Sequence, residues 1–315
     1  MRSEPGRAAV AAWLLWLLVA GCLADAAEYS ASTLALQAAL DAAGFSPGLV
    51  DGKFGPKTRV ALRAFQRVNG LEVHGRADDA TRAALELATR PATVAYSVTD
   101  ADLREVGGPI PEDWNARAAL DRLRYPALIE LLAERGHCAR ETVRRLNPGV
   151  KLDALRAGAK VTLPNVAPSR TLRGLAQLEI HLDERVIRAR DERGGLLALF
   201  HCSVARLPEK RPSGVTRVAT IVMEPNYTFR PEMWPEVKNV SRPLVIPPGP
   251  RNPVGLCWIG LERQGYGVHG TPNPELIGKT GSHGCLRLAN WDARRLGAAV
   301  RVGTPVRFVE TSDEK

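Results

Sequence analysis

The sequence has few of the residues from which metal sites and disulfide frameworks are built. Its 315 residues include five cysteines, no Cys-x-x-Cys pair and six histidines. Cysteines spaced this irregularly exclude a zinc ribbon and a small disulfide scaffold. Cys202 and Cys257 lie inside apolar runs, and we interpret both as buried small hydrophobic residues.

Lysine and aromatic residues are also scarce. Eight lysines accompany 35 arginines, and aromatic side chains make up 5% of the chain. The net charge of +9 is dispersed among 34 acidic residues, without the clustered basic face of a nucleic-acid binder, so we expect no nucleic-acid partner. A composition that is 45% apolar and 24% charged excludes a disordered chain. The length predicts two or three globular domains.

Long apolar runs are absent except at the N-terminus. Residues 8–24 are uncharged and follow Arg2 and Arg7. This run is short for a membrane span of about 20 residues and suits the core of a signal peptide. We therefore expect an exported protein of the periplasm or cell envelope.

The C-terminal end of that run resembles the lipobox of bacterial lipoproteins. It reads Val19-Ala20-Gly21-Cys22. The resemblance implies a signal peptide over residues 1–21 and a lipid on the thiol of Cys22, which would anchor the protein to the membrane. Ordinary cleavage between residues 24 and 27 is the alternative.

Residues 33–88 predict a small helical domain that contains an internal echo. Asp51-Gly52 recurs 23 positions later as His74-Gly75, and Thr58 recurs as Thr81. Each copy predicts a glycine turn followed by a helix, and generic helical packing is the alternative. Residues 44–58 and the later Phe65-Gln66 resemble the three-helix peptidoglycan-binding domain family, which implies an all-α fold and binding to peptidoglycan. His74 departs from the aspartate that is usual there.

Residues 95–166 predict a small α+β module. A strand around Tyr96 is followed by helices over residues 128–135 and 139–146, and a second strand lies at residues 161–164. The order resembles a diverged lysin-motif (LysM) module with an insertion around residues 107–127, which implies glycan binding. A packing spacer is the alternative.

Residues 171–310 predict a mainly-β domain. Leu178, Ile180 and Leu182 alternate with the polar Glu179 and His181, which predicts a strand with one polar face. Further strand-like runs occupy residues 196–204, 215–223, 256–261 and 306–309. A helix near residues 291–300 is predicted, with Asn290 as its cap.

The chemistry of this domain centres on Cys285. His269 precedes the cysteine by 16 positions and His283 precedes it by two. A neighbouring imidazole lowers the pKa of a thiol, so we expect a low pKa for Cys285. Gly284 lets a substrate carbonyl approach backbone amides that could form an oxyanion hole. In an extended segment His283, Cys285 and Arg287 would share one face.

The segment around Cys285 resembles the signature of the L,D-transpeptidase catalytic domain. It reads Ser282-His283-Gly284-Cys285-Leu286-Arg287, with His269 14 positions before His283. The overall fold class implied is therefore multidomain: a three-helix domain, a LysM-like module and a C-terminal mainly-β L,D-transpeptidase domain. The segment over residues 223–246 is unusually long for this family, and we expect it to reshape the substrate cleft.

The resemblance implies a role for each residue of the site. Cys285 is the nucleophile, His269 the general base oriented by the carbonyl of Gly270, and His283 assists near the thiol. The backbone amides of Gly284 and Cys285 stabilise the oxyanion. No metal or organic cofactor takes part.

Further positions are expected to contact the substrate. Arg287 either holds the motif or binds a substrate carboxylate, and Ser282 and Tyr266 are placed beside the substrate. A packed aromatic residue is the alternative for Tyr266. The remaining four histidines are expected to take no part in catalysis: His74, His137, His181 and His201.

The implied reaction begins with attack on the third-residue carbonyl of a tetrapeptide stem and releases D-Ala. An amine of another stem then resolves the thioester, giving a cross-link or attaching a protein. Water in place of the amine would make the enzyme an L,D-carboxypeptidase. Two other classes are a non-catalytic wall-binding protein and a papain-type peptidase. The second is disfavoured, because both histidines precede Cys285 and the surroundings predict strands.

Overall fold

The structure is a computed structural model that describes residues 28–166, 171–234, 236–282 and 284–309. The expected signal peptide, Cys22 and His283 lie outside the described residues. Within those ranges, none of the helices is both long and apolar enough to cross a bilayer.

Eight α-helices, four short 3₁₀ helices and twelve strands are observed in these ranges. The helices are α1 (Ala31–Ala43), α2 (Pro56–Val68), α3 (Asp79–Ala84), α4 (Asp100–Arg104), α5 (Trp114–Ala118), α6 (Leu128–Arg135), α7 (Arg140–Leu146) and α8 (Asn290–Gly297). The strands are β1 (Thr93–Ser97), β2 (Lys160–Pro164), β3 (Leu175–His181), β4 (Val186–Asp191), β5 (Leu196–His201), β6 (Val215–Met223), β7 (Tyr227–Phe229), β8 (Leu244–Ile246), β9 (Cys257–Leu261), β10 (Gly267–His269), β11 (Leu286–Arg287) and β12 (Pro305–Val309).

The N-terminal domain consists of α1, α2 and α3, and a buried glutamine organises its first glycine turn. Gln37 accepts hydrogen bonds from the amides of Asp51 and Gly52 at 3.0 and 2.7 Å. Its amide nitrogen donates to the carboxylate of Asp51 and the hydroxyl of Thr58 at 3.0 and 3.1 Å. One side chain therefore satisfies the backbone of the turn and ties it to the start of α2.

A second glutamine repeats this arrangement at the second turn. Gln66 accepts from the amide of Gly75 at 2.9 Å and donates to the hydroxyl of Thr81 at 3.0 Å. Its amide nitrogen also lies 3.3 Å from Nδ1 of His74, which accepts from the amide of Arg76 at 3.0 Å. His74 thus takes the acceptor position that Asp51 fills in the first turn. The sequence echo is a repeated, hydrogen-bonded turn rather than generic helical packing.

The middle module has the order strand, helix, helix, strand (β1, α6, α7, β2), and α4 and α5 are inserted between β1 and α6. β1 pairs antiparallel with β2, from Thr93 opposite Pro164 to Ser97 opposite Lys160. Helices α6 and α7 pack on this pair, and Leu132, Val143 and Leu163 are fully buried between them. The apolar faces of two short helices thereby cover a sheet too small to be stable alone.

The C-terminal domain is built on an eight-stranded sheet in the order β11-β10-β9-β6-β12-β3-β4-β5. Helix α8 packs on β9 and β6, over a core that includes Leu178, Ile259 and Leu296. The polar residues that alternate along β3 do not face solvent. Both Glu179 and His181 are buried, at 5% exposure each.

Arginines on neighbouring strands explain the burial of Glu179. The carboxylate accepts from Arg307 at 2.6 Å and from Arg190. Burial alone would raise the pKa of Glu179, but these two guanidinium groups lower it below its ordinary value. A paired carboxylate can therefore be buried on the polar face of this strand.

The N-terminal domain is joined to the free edge of the catalytic sheet. The amide of Ser46 donates to the carbonyl of Leu199 at 2.9 Å, and the amide of Leu199 donates to the carbonyl of Gly44 at 3.0 Å. The turn after α1 thus pairs with edge strand β5 in parallel. Phe45 and Phe65 share one apolar cluster with Leu199. The two domains therefore have a common core.

The middle module meets both neighbours at one buried junction. Nδ1 of His137 lies 2.8 Å from a carboxylate oxygen of Asp41, and its ring stacks on Trp291 at 4.9 Å. Ser46 donates to the carboxylate of Asp292 at 2.9 Å. Burial, together with nearby Asp41, raises the pKa of Asp292 to about 7. All three modules therefore contribute to a single buried polar cluster.

The two insertions noted in the sequence pack against each other. Helix α5 lies on the hairpin formed by β7 and β8, and Trp114 stacks on Phe229 with ring centres 4.2 Å apart. Arg122 binds Glu224 through two hydrogen bonds of 2.6 and 3.0 Å. The middle module thus supports the long 223–246 segment of the catalytic domain.

Candidate active site

Two neighbouring parallel strands bring the predicted site residues together. β10 pairs with β11 so that His269 lies opposite Arg287 and Val268 opposite Leu286. Continuing this register by one residue places Cys285 opposite Gly267. Since alternate residues of a strand point to one face, Cys285, His269 and Arg287 lie on the same side of the sheet. His283, which was expected to join them, lies outside the described residues.

The thiol of Cys285 is partly buried and lies against the backbone of the β9–β10 turn. Its sulfur donates to the carbonyl of Gly265 at 3.5 Å. Burial raises the pKa of the thiol, although the amide of Gly267 and the charge of Arg287 oppose this. The expectation of a low pKa for Cys285 is therefore wrong, because desolvation outweighs the stabilisation that the neighbouring donors give the thiolate.

His269 is buried and neutral. Its Nδ1 donates to the carbonyl of Gly270 at 2.6 Å, which leaves Nε2 as a proton acceptor. Burial lowers the pKa of His269 to about 4, against the hydrogen bond to Gly270, which raises it. No hydrogen bond joins His269 to Cys285 in the described part of the chain. The resting site is a neutral thiol beside a neutral imidazole.

Trp258 fixes the imidazole from the neighbouring strand, and the sequence analysis missed it. Trp258 is opposite His269 in the β9–β10 pair, and the two rings stack at 5.7 Å with 24° between their planes. The indole lies across Gly260 and Gly267, where a Cβ atom would come within 2.9 and 2.6 Å of it. Two glycines flanking an aromatic position were the available signal, but only the pairing register reveals the stack.

The turn before the nucleophile is closed by Ser282. Its hydroxyl donates to the carbonyl of Cys285 and accepts from the amide of Gly284 at 3.2 Å. Ser282 therefore shapes the turn, and the Gly284 amide that was expected at the oxyanion hole is engaged within it. A Cβ on Gly284 would lie 3.8 Å from the ring of Tyr266.

Arg287 also binds the backbone of this turn. Its guanidinium donates to the carbonyl of Gly281. Its positive charge acts to lower the pKa of both groups, Cys285 and His269: it opposes the effect of burial on Cys285 and adds to that effect on His269. Arg287 was expected either to hold the motif or to bind a substrate carboxylate, and the observed contact supports the first.

Asn290 supports the site from behind, and the prediction that it caps the last helix is wrong. Helix α8 begins at Asn290 itself, and the side-chain oxygen accepts from the amide of Leu256 at 3.1 Å. Its amide nitrogen donates to Glu134 and to the carbonyl of Pro250 at 3.1 and 3.2 Å. A side chain already bonded to three other segments is not available to cap a helix. A Cβ on Gly270 would lie 2.3 Å from its oxygen.

Comparison with known proteins agrees with this site. The profile described as "L,D-transpeptidase catalytic domain" matches residues 176–308, and the one described as "Putative peptidoglycan binding domain" matches residues 30–85. The C-terminal domain is an L,D-transpeptidase catalytic domain. The N-terminal domain belongs to the peptidoglycan-binding family. Neither match includes the middle module, so its LysM identity stays a prediction.

Individual relatives of this L,D-transpeptidase domain are distant. The chain is 28% identical over 178 residues to "Putative L,D-transpeptidase YkuD" of Bacillus licheniformis, covering 56% of this chain and 91% of the relative. It is 28% identical over 187 residues to "Probable L,D-transpeptidase YbiS" of Escherichia coli K12, covering 58% of this chain and 60% of that protein. A solved L,D-transpeptidase structure from Xylanimonas cellulosilytica is 18% identical and has a TM-score of 0.37, covering 90% of this chain and 95% of that one.

Aromatic side chains border the thiol of the L,D-transpeptidase domain. The hydroxyl of Tyr266 donates to the carbonyl of Lys210 at 3.1 Å, and the guanidinium of Arg263 lies 4.6 Å above the ring. Tyr227, on the long 223–246 segment, accepts from the indole of Trp234 at 3.2 Å. Burial raises the pKa of Tyr227, and Cys285 adds to the rise when its thiol is ionised. Both tyrosines are held by the fold beside the reacting residues.

Other polar groups of the chain are separate from this site. His201 is buried against the carbonyl of Lys57, at 3.1 Å, and burial lowers its pKa to about 3. A cavity of about 190 Å³ lies at the junction of the modules, and its lining includes Tyr125, Glu134 and Trp291 but not Cys285. Within the described ranges, no three His, Cys, Asp or Glu side chains are grouped so that they could hold a metal ion.

Alkylation of Cys285 should report the raised pKa of its thiol. Iodoacetamide reacts with the thiolate, and burial raises the pKa of this thiol above its ordinary value, so little thiolate is present at neutral pH. We expect the alkylation rate to rise about tenfold per pH unit from pH 7 and to continue rising beyond pH 9. Peptide mass mapping measures the rate at each cysteine. A rate that is already constant at neutral pH would show a preformed thiolate–imidazolium pair instead.

Proposed function

We propose that this protein is a peptidoglycan L,D-transpeptidase whose nucleophile is Cys285. The observation that carries the proposal is the shared face of β10 and β11, where a partly buried thiol accompanies a neutral imidazole with a free acceptor nitrogen. A general base must be unprotonated at the working pH, and the pKa of His269, at about 4, satisfies this.

The reaction starts with the sulfur attacking the third-residue carbonyl of a tetrapeptide stem. His269 takes the thiol proton as the carbon–sulfur bond forms, and then gives it to the departing nitrogen of D-Ala. The peptide bond breaks and a thioester remains on Cys285. An amine of another stem attacks that thioester, loses its proton to His269 and restores the thiol.

The backbone around the nucleophile stabilises the charge that develops on the carbonyl oxygen. We assign the oxyanion to the amide of Cys285, and to that of Gly284 if it leaves the hydroxyl of Ser282 on substrate binding. Arg287 holds the turn and supplies positive charge. His283 is proposed to assist near the thiol, and Tyr266 and Ser282 to border the substrate.

Peptidoglycan lies outside the cytoplasmic membrane, so the protein acts there. We propose export by the segment over residues 1–21 and anchoring through a lipid on Cys22. The middle module is proposed to bind glycan as LysM-like modules do, supported by its β1–α6–α7–β2 order. Holding binding modules beside the catalytic domain raises the effective concentration of stems at Cys285.

The proposal is tested by incubating the full chain with a defined disaccharide-tetrapeptide, with and without a second stem that provides the amine. Mass spectrometry should detect release of D-Ala and, with the acceptor present, a joined product. Conversion to the tripeptide alone would identify an L,D-carboxypeptidase that uses water. An unchanged tetrapeptide under both conditions would support a non-catalytic wall-binding protein and overturn the proposal.

A further inference from the structure

We propose that Lys57, in the peptidoglycan-binding domain, is a positioning residue for the active site of the catalytic domain. It acts on the loop over residues 271–281, which connects His269 to the turn before Cys285. The inference rests on the proposed function. It means that the N-terminal domain helps to hold the catalytic residues in place, in addition to binding the wall.

The loop is held through its backbone by cationic side chains. Four of its carbonyl oxygens accept from four different cations: Pro272 from Arg251, Ile277 from Lys57, Gly278 from Arg185 and Gly281 from Arg287. Three of these cations belong to the catalytic domain, and Lys57 belongs to α2 of the peptidoglycan-binding domain. The loop is thus bonded at both ends and at its middle. We infer that loss of one of these bonds shifts the loop and, with it, His269 or the turn before Cys285.

The ammonium group of Lys57 is directed at this loop. Its Nζ lies 2.5 Å from the carbonyl oxygen of Ile277, and its aliphatic chain passes over Gly48 and Gly278. Burial lowers the pKa of Lys57 below its ordinary value, as does the charge of Lys279. Desolvating an ammonium group is costly, so the contact with the loop must offset that cost.

The amide of Gly278 links the same point of the loop to the nucleophile strand. It donates to the hydroxyl of Ser203 at 2.9 Å. The backbone of Ser203 exchanges two hydrogen bonds with Arg287, at 2.9 and 3.1 Å. Lys57 therefore holds Ile277, and the next residue, Gly278, is bonded to Ser203. Ser203 in turn pairs with Arg287, which lies two positions after Cys285.

The internal repeat of the N-terminal domain shows that its fold does not require a lysine here. The second copy places Ala80 at the position of Lys57, 23 residues later, in an otherwise similar turn and helix start. Stability of the repeat unit thus does not account for a half-buried lysine. The contact with Ile277 does.

The test compares full-length Lys57→Met with the wild type in tetrapeptide processing. Methionine keeps the apolar chain over Gly48 and removes the donor. We expect kcat to fall about tenfold with KM and the unfolding temperature nearly unchanged, because a misplaced loop weakens alignment rather than binding. Lys57→Arg, which can still donate to the carbonyl, should recover most of kcat. Lys53→Met, at an exposed lysine of the same turn, is the matched control and should behave as the wild type.

Each other outcome has a definite meaning. Equal kcat in Lys57→Met and wild type overturns the inference, and so does a loss of kcat that Lys57→Arg does not recover. A Lys57→Met protein that fails to fold assigns the lysine to stability and also overturns its positioning role. Wild type that leaves the tetrapeptide unprocessed refutes the proposed function itself, so the two failures are distinguishable.

Discussion

Cys285→Ala should reduce tetrapeptide processing by at least about 10⁴-fold, since removal of a catalytic nucleophile eliminates the covalent route and leaves only binding and oxyanion effects. Alanine removes the sulfur without adding atoms, and the side chain is only partly buried, so the fold should be retained. Release of D-Ala, followed by mass spectrometry, measures the loss. Circular dichroism verifies that the variant is folded.

Cys202→Ala is the matched control for the nucleophile. The four cysteines of the described residues are all free, and Cys202, directly after β5, is fully buried. Burial raises the pKa of its thiol to about 12, so it is an unreactive core residue. This variant should keep wild-type kcat at a small cost in stability. Processing that survives in Cys285→Ala and disappears in Cys202→Ala would contradict the assignment of the nucleophile.

Gly255→Ala should have the second largest effect, on both stability and activity. Gly255 has a φ of 64°, and a Cβ there would lie 2.1 Å from the side-chain oxygen of Asn290 and 2.6 Å from the carbonyl carbon of Gly270. Both atoms belong to the support of His269, because Gly270 orients the imidazole. We expect the free energy of unfolding to fall by more than about 4 kcal/mol, since backbone strain and overpacking act together.

Gly303→Ala separates these two causes. Gly303 has a similar φ of 88°, but a Cβ there would meet no atom of the described residues within 4 Å. The free energy of unfolding of Gly303→Ala should fall by only about 1–2 kcal/mol, the strain of a left-handed residue with a Cβ, and the variant should keep its activity. Urea unfolding and tetrapeptide processing are measured for both variants. Equal losses in the two proteins would show that crowding against Asn290 is not the cause.

The sequence indicated the local elements of the site well, because its signals are local. The spacing of His269 and Cys285 predicted that they belong to one site, and the structure has His269 at the end of β10 and Cys285 directly before the parallel strand β11. The alternation in β3 located that strand correctly, but it does not show whether the polar side chains are exposed. Whether Glu179 is exposed depends on Arg190 and Arg307, which come from other strands and leave no trace in the local pattern.

The pKa values of the site and the contacts between the modules could not be predicted from local sequence patterns. The pKa of Cys285 depends on how much of the chain covers the sulfur, and desolvation outweighed the donors that the motif indicated. The hydrogen bond from Ser46 to Asp292 joins residues 246 positions apart. Contacts of this kind follow from the assembled modules and not from any one segment.

The pairing of residues 44–46 with β5 also has a consequence for solubility. A strand at the margin of a sheet exposes unsatisfied amides and carbonyls that recruit other chains, and proteins protect such margins. Here the turn after α1 takes both backbone hydrogen bonds of Leu199, at the centre of β5, and Phe45 covers the adjacent apolar surface. The N-terminal domain thereby shields this margin of the catalytic sheet from intermolecular β-association, in addition to the wall binding proposed for it.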